Sequence, residues 1–319
     1  MTHLFIRRII TSAIVLVLVS IFVFFAMRLL PGDPIKMLII DESEFSEERI
    51  AQLRHEFGLD RPMVVQYLNW IGGLFNGDMG ISIVHRTPVE DEIFRRLPVS
   101  IFLGSMALAI GVLFGLPAGI ISAVRRGKNI DNVVVTFTNI GITVPVFWLG
   151  FILIYLFGLK LAWLPVQGYT SPFTDLGLCL KQSIMPVVCL AVFPLCSITR
   201  QTRSSMLEII GQDYMRTAWS KGLRERVIIL RHGLKNALIP IITVAGMMIN
   251  LIIGGTVIIE TVFNIPGMGR LAVSSVMNQD YPYVQGIILV IATGVTLVNL
   301  LIDLTYGWLD PRIRYGNAT

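Results

Sequence analysis

Apolar residues run through this chain in long blocks rather than with the period of an amphipathic helix or strand. Six blocks reach, or come close to, the roughly 20 residues that a helix needs to cross a hydrocarbon core of about 30 Å. They cover residues 9–27, 100–124, 133–159, 184–198, 238–259 and 284–304. The fourth is the shortest and carries Pro186 and Pro194. A membrane helix tolerates proline where neighbours re-satisfy the freed backbone groups. The pattern therefore predicts an all-α membrane protein of six transmembrane helices. Residues 1–98 would supply the first helix and a long outer loop, and residues 99–319 a five-helix core. The loop of residues 31–98 carries Gly58-Leu59-Asp60-Arg61-Pro62, a helical apolar pattern at Val64, Val65, Tyr67, Leu68 and Ile71, and Gly77-Asp78-Met79-Gly80. Turn signals around an amphipathic piece predict a folded segment there.

Composition agrees: 54% of the 319 residues are hydrophobic and 15% charged, against roughly 25% charged in an ordinary soluble domain. The mean hydropathy of +0.72 excludes a disordered chain, a nucleic-acid module and a disulfide-stapled secreted domain. Cys179, Cys189 and Cys196 lie in one apolar stretch without metal-ligand spacing and read as packing residues. Arg7 and Arg8 precede the first block, as in a secretory signal. That block is too long for a signal core and no A-x-A site follows it, so it reads as a retained span.

The net charge of +5 is informative only once located. With the N-terminus in the cytoplasm, the inner segments hold 15 Lys and Arg residues and the two short outer loops hold three, Lys160, Lys181 and Arg270. That is a strong positive-inside bias, and it places both termini inside. Omitting the fourth span would turn the eight basic residues between Arg200 and Lys235 outward. The outer loop, by contrast, carries 12 acidic residues against 7 basic ones.

No catalytic constellation is present. Gly127-Lys128 is followed by Asn129, where a phosphate-binding loop needs Ser or Thr, and Ser122 stands where its first glycine would be. His55-Glu56 lacks a second histidine four residues on, and there is no G-x-S-x-G. The chain is expected to bind no nucleotide, metal or other cofactor itself. Glu260 and Asp303, at the ends of the fifth and sixth blocks, are pathway candidates as acids in apolar segments, or else interfacial carboxylates. Gly111, Gly115 and Gly119 form a double G-x-x-x-G face for close helix packing, either within this chain or against a second membrane subunit.

The inner loop of residues 201–236 is long, basic and helical in pattern. Asp213 to Gly222 reads as one short helix, with Asp213 favourable to the helix dipole and Gly222 suited to its C-terminal end. A second helix, residues 225–234, leads into the fifth span. Tyr214, Met215 and Trp219 are expected to be exposed on a docking knob for a soluble partner, since aromatic, Met and Arg residues dominate interface centres. The competing reading is a basic hairpin lying on anionic headgroups.

Ala218-x-x-x-Gly222 followed by His232-Gly233-Leu234-Lys235-Asn236 resembles the EAA loop of binding-protein-dependent ABC importer permeases, whose short helix sits in a groove of the ATPase subunit. Arg216 and Thr217 replace the Glu-Ala of that motif, Leu234-Lys235 replaces its Leu-Pro, and the proline comes later, at Pro240. This variant resembles the first permease of the dipeptide/oligopeptide/nickel branch. So do Leu30-Pro31-Gly32-Asp33-Pro34, Phe263-x-x-Pro266-Gly267-x-Gly269-Arg270, Asp280-Tyr281-Pro282 and Asp310-Pro311-Arg312-Ile313-Arg314, in that order. Ile265 departs from the aromatic residue usual before that Pro-Gly.

The resemblance implies a type I importer permease fold in a bacterial or archaeal inner membrane. It implies a second homologous permease subunit, two ATPase subunits that bind ATP and Mg, an extracytoplasmic substrate-binding protein, and no nucleic acid. It also implies that Asp213, Tyr214, Arg216, Thr217, Ala218, Lys221, Gly222, His232 and Asn236 couple the chain to the ATPases. The implied cargo is a dipeptide, oligopeptide or glutathione, with a nickel chelate as the alternative. A self-contained secondary transporter is the reading from another class; it expects inverted repeats and membrane-buried charges, and neither is evident.

Overall fold

The structure, a computed structural model, describes residues 2–29, 32–35 and 47–309. Leu30-Pro31 and the tail motif from Asp310 to Arg314 lie outside the described residues. The elements are α1 (Thr2–Leu29), α2 (Glu47–Glu56), α3 (Met63–Phe75), α4 (Val89–Val124), α5 (Asn129–Thr143), α6 (Val146–Leu153), α7 (Leu176–Ile210), α8 (Asp213–Ser220), α9 (Glu225–Val227), α10 (Lys235–Val262), α11 (Met268–Met277) and α12 (Tyr281–Leu309). A π-helical turn, Ile154–Lys160, continues α6, and another, Ile228–Leu234, joins α9 to α10.

Among the described residues five helices are long and apolar enough to cross a membrane, and the α5–α6 pair is a sixth candidate bent by 100°. That bend departs from the single continuous third span expected over 133–159. Its cause is Val144-Pro145: Val144 is extended (φ −69°, ψ 123°), as the ring of a following proline favours. The short fourth block is, conversely, the middle of a 35-residue helix, because α7 continues past Pro186 and Pro194 into polar sequence. α4 also begins earlier than its apolar block, its first turn carrying Glu90, Asp91 and Glu92, which favour the positive end of the helix dipole.

The chain divides into two compact units, one of residues 101–265 and 298–309, the other of 2–100 and 266–297. In the first, α7 is the central element, packed by α5 and α10. A Cβ on Gly111 would stand 3.0 Å from Pro194 Cβ, on Gly115 2.8 Å from the Leu195 carbonyl oxygen, and on Gly119 2.5 Å from Thr202 Cβ. The glycine face thus lets α4 approach α7 of the same chain. Gly141 on α5 makes a similar approach, since its Cβ would lie 2.4 Å from Cys196 Sγ. Cys179, Cys189 and Cys196 are all buried on α7.

In the second unit, residues 47–88 form a folded segment. Val23, Met27, Ile35, Leu53, Ile83, Tyr281 and Val284 close one core; Val89, Ile93, Met268, Leu271, Tyr283 and Ile287 close another. Asp280 ties the two parts of the chain together. It accepts from Ser82 Oγ at 2.5 Å and from the Ile83 and Val84 amides at 3.2 and 3.3 Å. Arg54 reaches Asp33, and His55 Nδ1 lies 2.7 Å from Asp60 Oδ2. That histidine contact holds the exposed Asp60 carboxyl below its ordinary range.

Candidate coupling site

α8 is a two-turn helix with two unlike faces, and its sequence dictates both. Met215 and Ala218, three residues apart, share one face and are 0% and 8% exposed. The expectation that Met215 is exposed is therefore corrected: helical period pairs it with Ala218, and both rest on an apolar base. That base holds Ala123, Ile198, Met206, Ile209, Ile228, Ile229, Ala237 and Ile241. The other face presents Asp213, Tyr214, Arg216, Thr217, Trp219 and Ser220, all exposed. Beyond the helix follow exposed Lys221, Leu223, Arg224, Arg226 and Val227.

Local chemistry sets both ends of α8. Asp213 lies in the first turn, and its carbonyl accepts from Thr217 Oγ1 at 3.1 Å. The chain leaves at Gly222, whose φ of +72° is a left-handed conformation that L side chains resist. Its amide donates to the Trp219 carbonyl at 3.0 Å. Arg216 Nη1 lies 3.5 Å from Asp213 Oδ1, with both side chains at least three-quarters exposed.

The helix is anchored from behind. Asn236 Nδ2 donates to Tyr214 Oη at 2.9 Å and to the His232 carbonyl at 3.1 Å. His232 lies in the π-helical turn and is half-buried. A Cβ on Gly233 would lie 3.2 Å from Met206 Cε and 3.4 Å from Met215 Cε. The predicted second helix of residues 225–234 is thus the start of one helical rod: α9, the π-helical turn and α10 continue through Val262. α8 therefore sits four residues before a rod that continues into a membrane-crossing helix.

An ion pair that sequence reading passed over braces the same base. Arg203 Nε and Nη2 donate to Asp131 Oδ1 and Oδ2 at 2.7 and 2.9 Å, a two-pronged pair. Asp131, 3% exposed, also accepts from Ser122 Oγ at 2.5 Å and from the Gly127 amide at 2.9 Å. The α4–α5 turn is thereby clamped to α7 about two turns before the end of that helix. Gly127 serves this clamp. Removing Arg203, itself 27% exposed, would leave the buried Asp131 carboxylate without its counter-charge, a loss of at most about 3–5 kcal/mol.

The two candidate pathway acids are not brought together. Glu260 is 0% exposed and Asp303 half-buried. Gly246 meets Ile302, and Asn250 Nδ2 donates to Asn299 Oδ1 at 3.0 Å, so α10 and α12 are antiparallel. That register puts Asp303 level with residue 245, about 22 Å from Glu260 at 1.5 Å per residue. Glu260 is buried within the chain and is not a solvated interfacial carboxylate.

The family described as "Binding-protein-dependent transport system inner membrane component" matches residues 115–315. This chain belongs to that family. The N-terminal part described as "Binding-prot-dependent transport system membrane comp, N-term" matches residues 1–104. The permease is 41% identical over 309 residues to "Probable peptide ABC transporter permease protein y4tP" of Sinorhizobium fredii, covering 97% of this chain and 98% of that one. It is 38% identical over 320 residues to "Dipeptide transport system permease protein DppB" of Escherichia coli K12, covering 93% and 94%. Among solved structures, a chain of the inward-facing MetNI methionine ABC transporter superposes with a TM-score of 0.54 at 18% identity, covering 68% of this chain and 96% of that one. At that identity the match shows the fold, that of type I importer permeases. The permease is a multi-pass inner-membrane component of an ABC transporter, and the self-contained secondary transporter is set aside.

Proposed function

We propose that this permease forms half of the translocation pathway of an ATP-driven peptide importer and that α8 is its contact with an ATPase subunit. The observation that carries the reading is the two-faced α8: an aromatic and basic outer face, a buried Met215–Ala218 face, and a continuous rod into α10. The excess of Lys and Arg on one set of loops supports a cytoplasmic α8 and cytoplasmic termini. The names of the relatives support peptide as cargo. A second, homologous permease completes the pathway, a binding protein delivers the peptide from outside, and two ATPase subunits hold ATP and Mg. Closure of the ATPase pair displaces residues 213–222, and the rod through α10 rocks the spans between inward- and outward-facing states.

Deleting the chain from its host should abolish uptake of radiolabelled dipeptide, with uptake restored by the intact chain. The purified chain alone should release no phosphate from ATP. Undiminished uptake after deletion overturns the cargo; ATP turnover by the chain alone overturns its role as a non-catalytic subunit.

A further inference from the structure

A cavity of about 680 Å³ lies wholly within the unit of residues 2–100 and 266–297, in the range of about 300–1,000 Å³ typical of small-molecule sites. Its wall carries three guanidinium groups, Arg28, Arg61 and Arg86, and two carboxylates, Glu56 and Asp78. Much of this charge is already engaged. Arg86 Nη1 lies 3.2 Å from Glu56 Oε1, and Asp78 Oδ1 accepts from the Gly80 amide at 2.7 Å. Arg28 is held over the Phe24 ring, 3.4 Å from its centroid, and donates to Gln66 Oε1 at 2.8 Å.

Two donors in the wall have no such role. Gln285 is 3% exposed, and its Nε2 has no hydrogen-bond partner among the described residues; Trp70 is half-buried, but its Nε1 is shut from solvent and likewise unpartnered among them. A buried polar group left without a partner is destabilising, and both of these residues line this same cavity. Unsatisfied donors beside an excess of guanidinium call for an oxygen acceptor carrying negative charge. Glu56 and Asp78 then suit a cation on the same ligand, and Trp70, Phe57 and Tyr281 supply apolar wall.

We propose that this cavity is a binding site for a short zwitterionic peptide, whose terminal carboxylate is received by Gln285 Nε2, Trp70 Nε1 and the arginines. The inference rests on the peptide reading of function. The site is built from the 2–100 and 266–297 unit alone and shares no residue with the coupling site.

The test is equilibrium binding of radiolabelled alanyl-alanine to the complete importer in nanodiscs, without its binding protein. Saturable binding is expected, one site per copy of this chain. It should weaken about tenfold or more in Gln285→Leu and in Trp70→Phe, the second of which keeps the ring and deletes only the donor. Alanyl-alanine amide should also bind at least about tenfold more weakly. Unchanged binding in both variants overturns the proposal, as does displacement of the peptide by short-chain phosphatidylethanolamine at equal concentration, which makes the cavity a headgroup site. Absence of saturable binding, in a preparation that imports peptide once binding protein and ATP are added, overturns the site and leaves the importer reading standing. If that preparation imports no peptide at all, the importer reading falls and the site falls with it.

Discussion

Reversing the charge at both Arg216 and Lys221 to glutamate should lower peptide uptake at least about tenfold while leaving the amount of permease in the membrane unchanged. Neither residue supports the fold. The Arg216 side chain is 76% exposed, and its ion-pair partner, Asp213, lies on the same short helix and is 95% exposed. Such a surface pair contributes about 0–1 kcal/mol. At an interface the accounting differs, because a charge that meets its complement in a partially desolvated groove costs about 2–5 kcal/mol when the pairing is broken. Reversal adds repulsion to that loss. Uptake and membrane abundance, measured in the same cells, separate the two cases. Full uptake at normal abundance would remove α8 from the ATPase contact.

The second large effect is structural. Gly119→Val should deplete the folded chain severalfold, because a Cβ there would stand 2.6 Å from the Thr199 carbonyl oxygen as well as 2.5 Å from Thr202 Cβ. A backbone oxygen cannot rotate away, so α4 and α7 must separate. Overpacking of this kind costs about 1–3 kcal/mol or more, and changes of that size alter cellular abundance several-fold. The helices that part are also those whose residues Ala123, Ile198 and Met206 floor the base beneath α8. Gly294→Ala is the control: a Cβ at Gly294 meets nothing within 4 Å, and abundance should be unaffected. Equal levels of both variants in the membrane would show that the α4–α7 contact is looser than the structure describes.

What could be read beforehand follows from which constraints are local. The bilayer demands long apolar blocks, so the spans stood out without any contact information. The short helix over 213–220 was equally legible, since a first-turn acid and a left-handed glycine are local signals. Met215 was misplaced although its period with Ala218 was available; an apolar residue in a polar loop was read as an anchor for a partner when it anchors the loop to its own chain. Proline was ambiguous by nature. Pro186, Pro194 and Pro240 sit inside helices, whereas Pro145 ends one, and composition around them does not tell the cases apart. The glycine repeat announced a close approach but could not name α7 as the helix approached. Pairings distant along the chain left no trace at all: Asp131 with Arg203 is separated by 72 residues and Asp280 with Ser82 by 198. Each is an ordinary Asp in sequence and a structural anchor in the fold.

Site-specific cross-linking in the assembled importer tests the central claim most directly. Thr217→Cys, in a chain whose native cysteines are replaced by alanine, presents a thiol on the exposed face of α8, and Phe75→Cys presents one on the other compact unit, where Phe75 is 88% exposed. A short bifunctional thiol reagent should join position 217 to an ATPase subunit, with a yield that changes when ATP is added, and should give no such product from position 75. An importer that takes up peptide normally yet yields no ATPase adduct from position 217 would contradict the coupling role of α8.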